Sequence, residues 1–551
     1  MKSRTSELEV HQVNCFYNYA VGLLATHVNL LKTAGKLLKS GMARTVCFSD
    51  LKCVYLDDNG DIQLEWLHPK GRQWDLAWTV KFSEGLPRSV VEDLTMCLEL
   101  LFHEQRIEGP EARQMAPHIR AALPPLVLEK EDVTLPVYAW LKVFSDGIVI
   151  LSFQVDTTWD GLGEADFISD IVNIYRRYFH RVWVHADLQR LDAEQIIPDA
   201  FAGELSIGGQ EVVGRKTKKL LKKMRRESLV ALDESLGKQG RDFEIGKETW
   251  TLHQIVGSEE QDEWEAMIDL CRSLYVNAVA GLVVPGIGKN GARLRQVQLW
   301  QGRPSISLMR FRNQPDSKEV LLKEFGPSLS RVLIRSSDVA DPPALPPDLR
   351  VFGDYCFHAN RALLLWTWLR PNDSPDNAWE NPTTRGELLE NQSRAEHFEY
   401  HNMRFARACA TASSPPSDQS LIDAYEVLAS ANSVIHHSGQ AGEITDALSH
   451  LMATTGTTGL IESGKEQARW HLDERRYRAD KNRSRVDRWL AVVFGFVGTA
   501  GLADVVVQPF LEACCPELRG GFKGLVAFSL AALFVGVAAL LIWLIHRRTS
   551  E

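Results

Sequence analysis

Trp489–Val507 reads WLAVVFGFVGTAGLADVVV, and Leu525–Ile545 reads LVAFSLAALFVGVAALLIWLI. The first stretch holds one charge, Asp504, and the second holds none. A helix crosses a hydrocarbon core about 30 Å thick with about 20 apolar residues, and both stretches reach that length. Either one alone could be a buried helix of a soluble protein, but the two in tandem predict a transmembrane hairpin.

Flanking charge predicts its orientation. Arg475, Arg476, Arg478, Lys481, Arg483, Arg485 and Arg488 precede the first stretch, opposed by Asp480 and Asp487, and Arg547 and Arg548 follow the second. The connection Gln508–Gly524 has Arg519 and Lys523 beside Glu512 and Glu517. The positive-inside rule then places both termini in the cytoplasm, as a multi-pass protein of the inner membrane. Trp489 and Trp543 stand at the inner ends of their segments, where an interfacial indole is favoured.

Within the first stretch Gly495, Gly498 and Gly501 recur every three residues, with Thr499 among them. Small residues let helices approach closely, so these positions are candidates for a pore lining or a helix contact; the general commonness of glycine in membrane helices is the other reading. At 1.5 Å per residue, Asp504 lies roughly 20 Å beyond Trp489. A carboxylate at that depth is costly against lipid and belongs against protein or water. In a symmetric oligomer it forms a ring attractive to cations, and otherwise it is an interfacial aspartate without a role.

The rest of the chain reads as water-soluble. Of 551 residues 45% are hydrophobic and 24% charged, and the net charge of −9 argues against nucleic acid as the main partner. Nine cysteines without a CxxC pair fit reduced thiols rather than a disulfide framework or zinc ribbon. The first residues carry no apolar core, so no cleavable signal is expected.

Alternating strand and helix patterns predict an α+β chain in four parts. The first, 1–125, has a helix over Val13–Leu38, strand-rich runs at Thr45–Tyr55 and Ile62–Trp66 around an Asp57–Asp61 turn, and a helix over Ser89–Glu104. The second, 135–340, has a hairpin of Tyr138–Phe144 and Ile148–Val155, a helix over Asp166–Phe179 and a strand at Arg181–His185. A proline-rich joint at Asp341–Pro347 precedes a helical part, 350–488. Its helices are Arg385–Thr411, Ser420–His437, Ala441–Thr454 and a long one from Gly459 that runs into the hairpin, 489–545.

Four other patterns bear on chemistry. Arg215, Lys216, Lys218, Lys219, Lys222, Lys223, Arg225 and Arg226 are dense with cations around Leu220, Leu221 and Met224. They suit an anionic lipid surface or a phosphorylated ligand, or form a solvated basic face. Gly286–Gly291 matches G-x-G-x-x-G by letter but follows Pro285, and a glycine turn between strands is the better reading. His397 and His401 share a helix face without the HExxH order and are expected to be exposed. Asp160, Glu164 and Asp166, among further acids, have no EF-hand spacing; they are a candidate divalent-cation cluster or a solvated loop whose acids favour a helix start. No catalytic motif stands out, so no enzyme activity is expected and no cofactor beyond a divalent cation is suggested.

The layout of Ile461–Val507, a brief loop, Leu525–Ile545 and the ending His546-Arg547-Arg548 resembles the CorA-like superfamily of two-helix membrane proteins. That resemblance implies five chains in a funnel, a pore lined by the first membrane helix and a cytosolic α/β domain above it. The family's Gly-Met-Asn signature is absent, and Gly501-Leu502-Ala503-Asp504 stands in its place. Some CorA-like proteins of bacterial defence are effectors gated by nucleotide messengers. The resemblance therefore implies a gated homo-oligomeric pore. Two alternatives remain open: a magnesium-type transporter lacking the signature, and a membrane-anchored sensor with no pore.

Overall fold

The computed structural model describes residues 7–22, 27–57, 59–66, 69–70, 79–80, 85–108, 115–130, 133–174, 181–185, 188, 206–207, 210–211, 240–246, 248–255, 275, 279, 282–284, 286, 299–370, 381–413, 415, 417–436, 442–514 and 520–549. The fold is mixed α+β, with a sheet in the N-terminal part and a helical C-terminal part that includes two apolar helices. The chain divides into two compact units, Met1–Ala468 and Arg469–Glu551.

The first unit is built on a 14-stranded sheet. Its strands are β1 (Glu9–Gly22), β2 (Thr45–Phe48), β3 (Lys52–Leu56), β4 (Ile62–Trp66), β5 (His118–Lys130), β6 (Val133–Phe144), β7 (Ile148–Gly163), β8 (Arg181–His185), β9 (Gly240–Ile245), β10 (Glu248–Ile255), β11 (Leu299–Gln301), β12 (Pro304–Phe311), β13 (Tyr355–Ala359) and β14 (Leu364–Trp368). The main path runs β9-β10-β8-β5-β6-β7-β1-β12-β14-β13, with β11 beside β1 and β2, β3 and β4 branching from β5. Every pairing is antiparallel except β12 with β14. Segments 1–125, 135–340 and 350–488 all contribute strands to this sheet.

Both faces of its centre are buried, for different reasons. Successive side chains point to opposite faces. On one face Val13, Cys15, Tyr17, Ile119, Ala121, Leu141, Val143, Leu151, Phe153, Ile306 and Leu308 join an apolar core. That core is closed by α1 (Leu30–Lys39), through Leu37 and Leu38, and α4 (Lys318–Ile334), through Leu321, Phe325 and Leu329. Between them in sequence lie α2 (Arg88–Glu108) and α3 (Glu164–Phe167). On the other face Asn14, Asn18, Arg120, Lys142, Ser152, Gln154, Ser305 and Ser307 are equally buried. A long helix, α5 (Pro382–Ser413), packs against α2, β1 and β7.

Several expectations need correction. The helix expected over Val13–Leu38 forms only from Leu30; its first part is β1, where Val13, Cys15 and Tyr17 alternate with Asn14 and Asn18 in the period of a strand. The helix expected over Asp166–Phe179 is described as Glu164–Phe167 followed by a π turn, Ile168–Val172; 175–179 lie outside the described residues. The part beyond the proline-rich joint is not purely helical: β13 and β14 re-enter the sheet first. The later helices fall close to where they are expected: α5, α6 (Asp418–Ala429), α7 (Ala431–His436), α8 (Gly442–Thr454) and α9 (Thr457–Leu502).

Two glycines are set by close approach. Between β11 and β12 a Cβ at Gly302 would lie 1.9 Å from the Asn18 carbonyl oxygen, so no side chain fits where the chain crosses β1. On α9 a Cβ at Gly464 would lie 2.8 Å from Cys409 Sγ and 3.0 Å from Leu428 Cδ1.

Candidate functional site

Two regions hold side chains where ordinary soluble packing would not put them. One is the C-terminal unit. After α9, a 46-residue helix, comes a π turn, Ala503–Val507, then α10 (Gln508–Cys514) and α11 (Gly520–Thr549). The helical run Thr457–Cys514 and the segment Gly520–Ala538 are long and apolar enough to cross a membrane. Ala503, Leu511, Ala527 and Ala531 form a small buried knot, flanked by Leu502, Val507, Val526 and Phe528, and Phe496 meets Phe528 edge-on at 5.4 Å. The large side chains Phe494, Val497, Val505, Phe522, Leu533 and Phe534 point outward. The Thr499 hydroxyl donates to the Gly495 carbonyl at 2.6 Å, and Thr499 is buried. Nothing lies within 4 Å of a Cβ built at Gly495, Gly498 or Gly501, and Asp504 is exposed. Of the five candidate pore positions, four are thus uncovered by their own chain, and Thr499 turns inward.

The other region lies between α5 and the polar sheet face. Arg120 and Lys142 are cross-strand partners on β5 and β6, so both point to α5. Arg120 donates to Glu396 at 3.0 and 2.6 Å and to Glu104 of α2 at 3.4 Å. Lys142 pairs with Glu104 and lies 3.7 Å from Glu396, and His118 Nε2 is 2.9 Å from Glu104. Gln392 extends the network, donating to Asn18 at 2.8 Å, Ser152 at 3.1 Å and Glu396 at 3.1 Å. Arg303 donates to Glu399 at 2.6 Å one turn further on. Near the helix's far end the Tyr400 hydroxyl and the Arg407 guanidinium hold Asp146, at the tip of the β6–β7 hairpin.

Burial and charge set the protonation states. Burial alone would raise the Glu396 carboxyl, but Arg120 and Lys142 hold it down at about 2. Burial lowers Lys142 to about 8 despite the pull of Glu396. Burial also raises Glu399 against the pull of Arg303. His397 and His401, expected to be exposed, are fully buried. Desolvation drives His397 down to about 3 and His401 well below its usual value, so both rings are neutral. They stack edge to face at 4.6 Å, and none of their ring nitrogens has a hydrogen-bond partner among the described residues. The correction has a simple cause: His397 lies among Leu349, Phe357, Leu364, Trp366 and Leu448, and His401 beside Phe405, so the helix face that reads as polar is covered by other elements instead of water.

The chain matches no family model, no curated protein and no solved structure. What the molecule does is therefore argued from its own residues.

Arg215, Lys216, Lys218, Lys219, Lys222, Lys223, Arg225 and Arg226 lie outside the described residues, as does most of Gly286–Gly291. Glu164 is held by Arg331 from α4, while Asp160 and Asp166 are exposed. Among the described residues these three acids are not grouped at metal-ligand spacing; that arrangement occurs instead at Asp348, Cys356 and His358. The buried ion cluster escaped the sequence reading because one polar residue in each strand looks like a solvent-facing position. Its one signal is Lys142, alone in an otherwise apolar Tyr138–Phe144 strand.

Proposed function

We propose that this chain is the subunit of a homo-oligomeric membrane pore of CorA-like layout, anchored by its C-terminal hairpin and controlled by the Met1–Ala468 unit. The observation that carries the reading is the inside-out packing of the hairpin. Ala503, Ala527 and Ala531 centre the contact between its helices with Leu511, while Phe494, Val497, Val505, Phe522, Leu533 and Phe534 face outward. In water that arrangement is penalised at about 25 cal/mol for every Å² of apolar surface left exposed, whereas in lipid it carries no such penalty.

A single hairpin encloses no path, so a pore requires further copies of the chain. The uncovered ridge of Gly495, Gly498 and Gly501 supports close approach of a neighbouring helix. The exposed Asp504 supports a carboxylate ring at one mouth, selecting cations. Flanking charge favours both termini in the cytoplasm. Control by a ligand, a nucleotide messenger or a divalent cation, would pass through α9, which continues without a break from the first unit into the apolar segment.

Single-channel recording on purified protein in planar bilayers tests the proposal, with and without nucleotide messengers and magnesium. Discrete steps that respond to a messenger support a gated effector, and steps carried by magnesium alone support a transporter. Asp504→Asn is expected to reduce cation selectivity in either case. Silence from protein shown to be inserted and oligomeric overturns the pore and leaves a membrane-anchored binding module.

A further inference from the structure

We propose that Asp348, Cys356 and His358 form a binding site for a zinc-class divalent cation, which fastens the proline-rich segment to the last strands of the sheet. Cys356 and His358 are two apart on β13 and so face the same side. Asp348 comes from the segment just after Pro346-Pro347. One ligand atom from each of the three lies within 4.8 Å of the others, so a tetrahedral ion with metal bonds of about 2.0–2.3 Å would draw them to about 3.5 Å apart.

The surroundings prepare each donor. His358 Nδ1 lies 3.0 Å from the Pro346 carbonyl oxygen, which can only accept, so Nδ1 carries the hydrogen and Nε2 holds the lone pair. Nε2 is buried and has no hydrogen-bond partner among the described residues. Metal-bound histidines commonly donate their other ring N–H to such an acceptor, and His358 has that arrangement with Nε2 left over for an ion. Asp348 is fixed by backbone N–H groups of Arg350 and Phe357 at 3.0 and 2.8 Å on one oxygen, and by Lys318 at 2.6 Å on the other. Burial pushes the Cys356 thiol up to about 12, with Asp348 adding to the rise, while burial keeps His358 neutral. Without metal the thiol keeps its proton. A bound dication displaces that proton to solvent, leaving a thiolate beside the Asp348 carboxylate, which Lys318 also faces.

The donor set decides the class of ion. Sulfur and imidazole select zinc-like ions over magnesium and calcium, which prefer oxygen throughout. This site is therefore distinct from one that would serve a hard cation carried through a pore. Three protein ligands leave a fourth position for water.

The test uses the full chain in detergent micelles, stripped with a chelator and titrated with Co²⁺. One cobalt per chain is expected, with a thiolate-to-cobalt absorption band and one proton released per ion bound. Cys356→Ser is expected to abolish the band, and His358→Gln to weaken binding at least about tenfold. Cys409→Ser, on α5, is expected to leave the band intact. Circular dichroism confirms that each variant is folded. Absence of the band from the unaltered chain overturns the proposal without recourse to any variant. Survival of the band in folded Cys356→Ser, or its loss in Cys409→Ser, overturns it as well.

Discussion

The two units use the same residue types in opposite ways. In Met1–Ala468, Leu321 and Phe325 are fully buried. In Arg469–Glu551, Phe494 and Phe534 are 68% and 67% exposed, while Ala527 and Ala531 are closed off from solvent. The first unit also buries charge, at Glu104, Arg120, Lys142 and Glu396, in a volume where water has been replaced by a fixed network. One unit therefore stakes its stability on excluding water from large apolar groups and on pairing buried ions such as these. The other keeps its large apolar groups at the surface and relies on close contact of small ones.

The sharpest way to break that contrast is to leave a charge unpaired. Glu396→Ala deprives Arg120 and Lys142 of a shared partner in a site where removing one member of a buried pair costs about 3–5 kcal/mol. Urea unfolding followed by near-ultraviolet circular dichroism should show that loss, whereas Phe534→Ala in the hairpin should leave the same transition unmoved.

Acid should come next. His397 and Glu396 both bind protons less readily in the folded chain than in the unfolded one, with values of about 3 and about 2 in place of 6.5 and 4.5. Their contribution is complete above pH 6.5 and is lost as pH falls, first to His397 and then to Glu396. A loss of several kcal/mol between pH 6.5 and pH 3 is expected, smaller in His397→Leu; a flat profile over that range would mean that the ring is accessible to water.

The smallest effect concerns the hairpin alone. Ala531→Leu overfills the knot around Ala503 and Ala527 and should cost about 1–3 kcal/mol of helix pairing. Energy transfer between probes on the two helices in micelles would report it, with the urea midpoint of the first unit unchanged.

The two apolar helices were legible because uninterrupted apolar length is a one-dimensional signal, and so were the antiparallel strands around Ser145-Asp146-Gly147. The central strand was less so. Glu9–Gly22 carries Gln12, Asn14 and Asn18 on a face roofed by a helix, and no local pattern distinguishes that face from a wet one. The helical reading of Val13–Leu38 and the exposed reading of His397 and His401 failed for this same reason. Partners that lie hundreds of residues apart, such as Arg120 with Glu396, leave no trace in the spacing of either.

The position of β1 between β7 and β12 sets a timetable for synthesis. The strand is made before both its neighbours, gains one at Ile148–Gly163 and must wait for Pro304–Phe311 to cover its other edge. Pairings so distant along the chain are slow to form. The apolar segment that begins at Trp489 emerges only after the last strand, Leu364–Trp368, has been made. At about 5–20 residues per second the intervening stretch gives the sheet an interval on the order of ten seconds to close before the first apolar helix is complete.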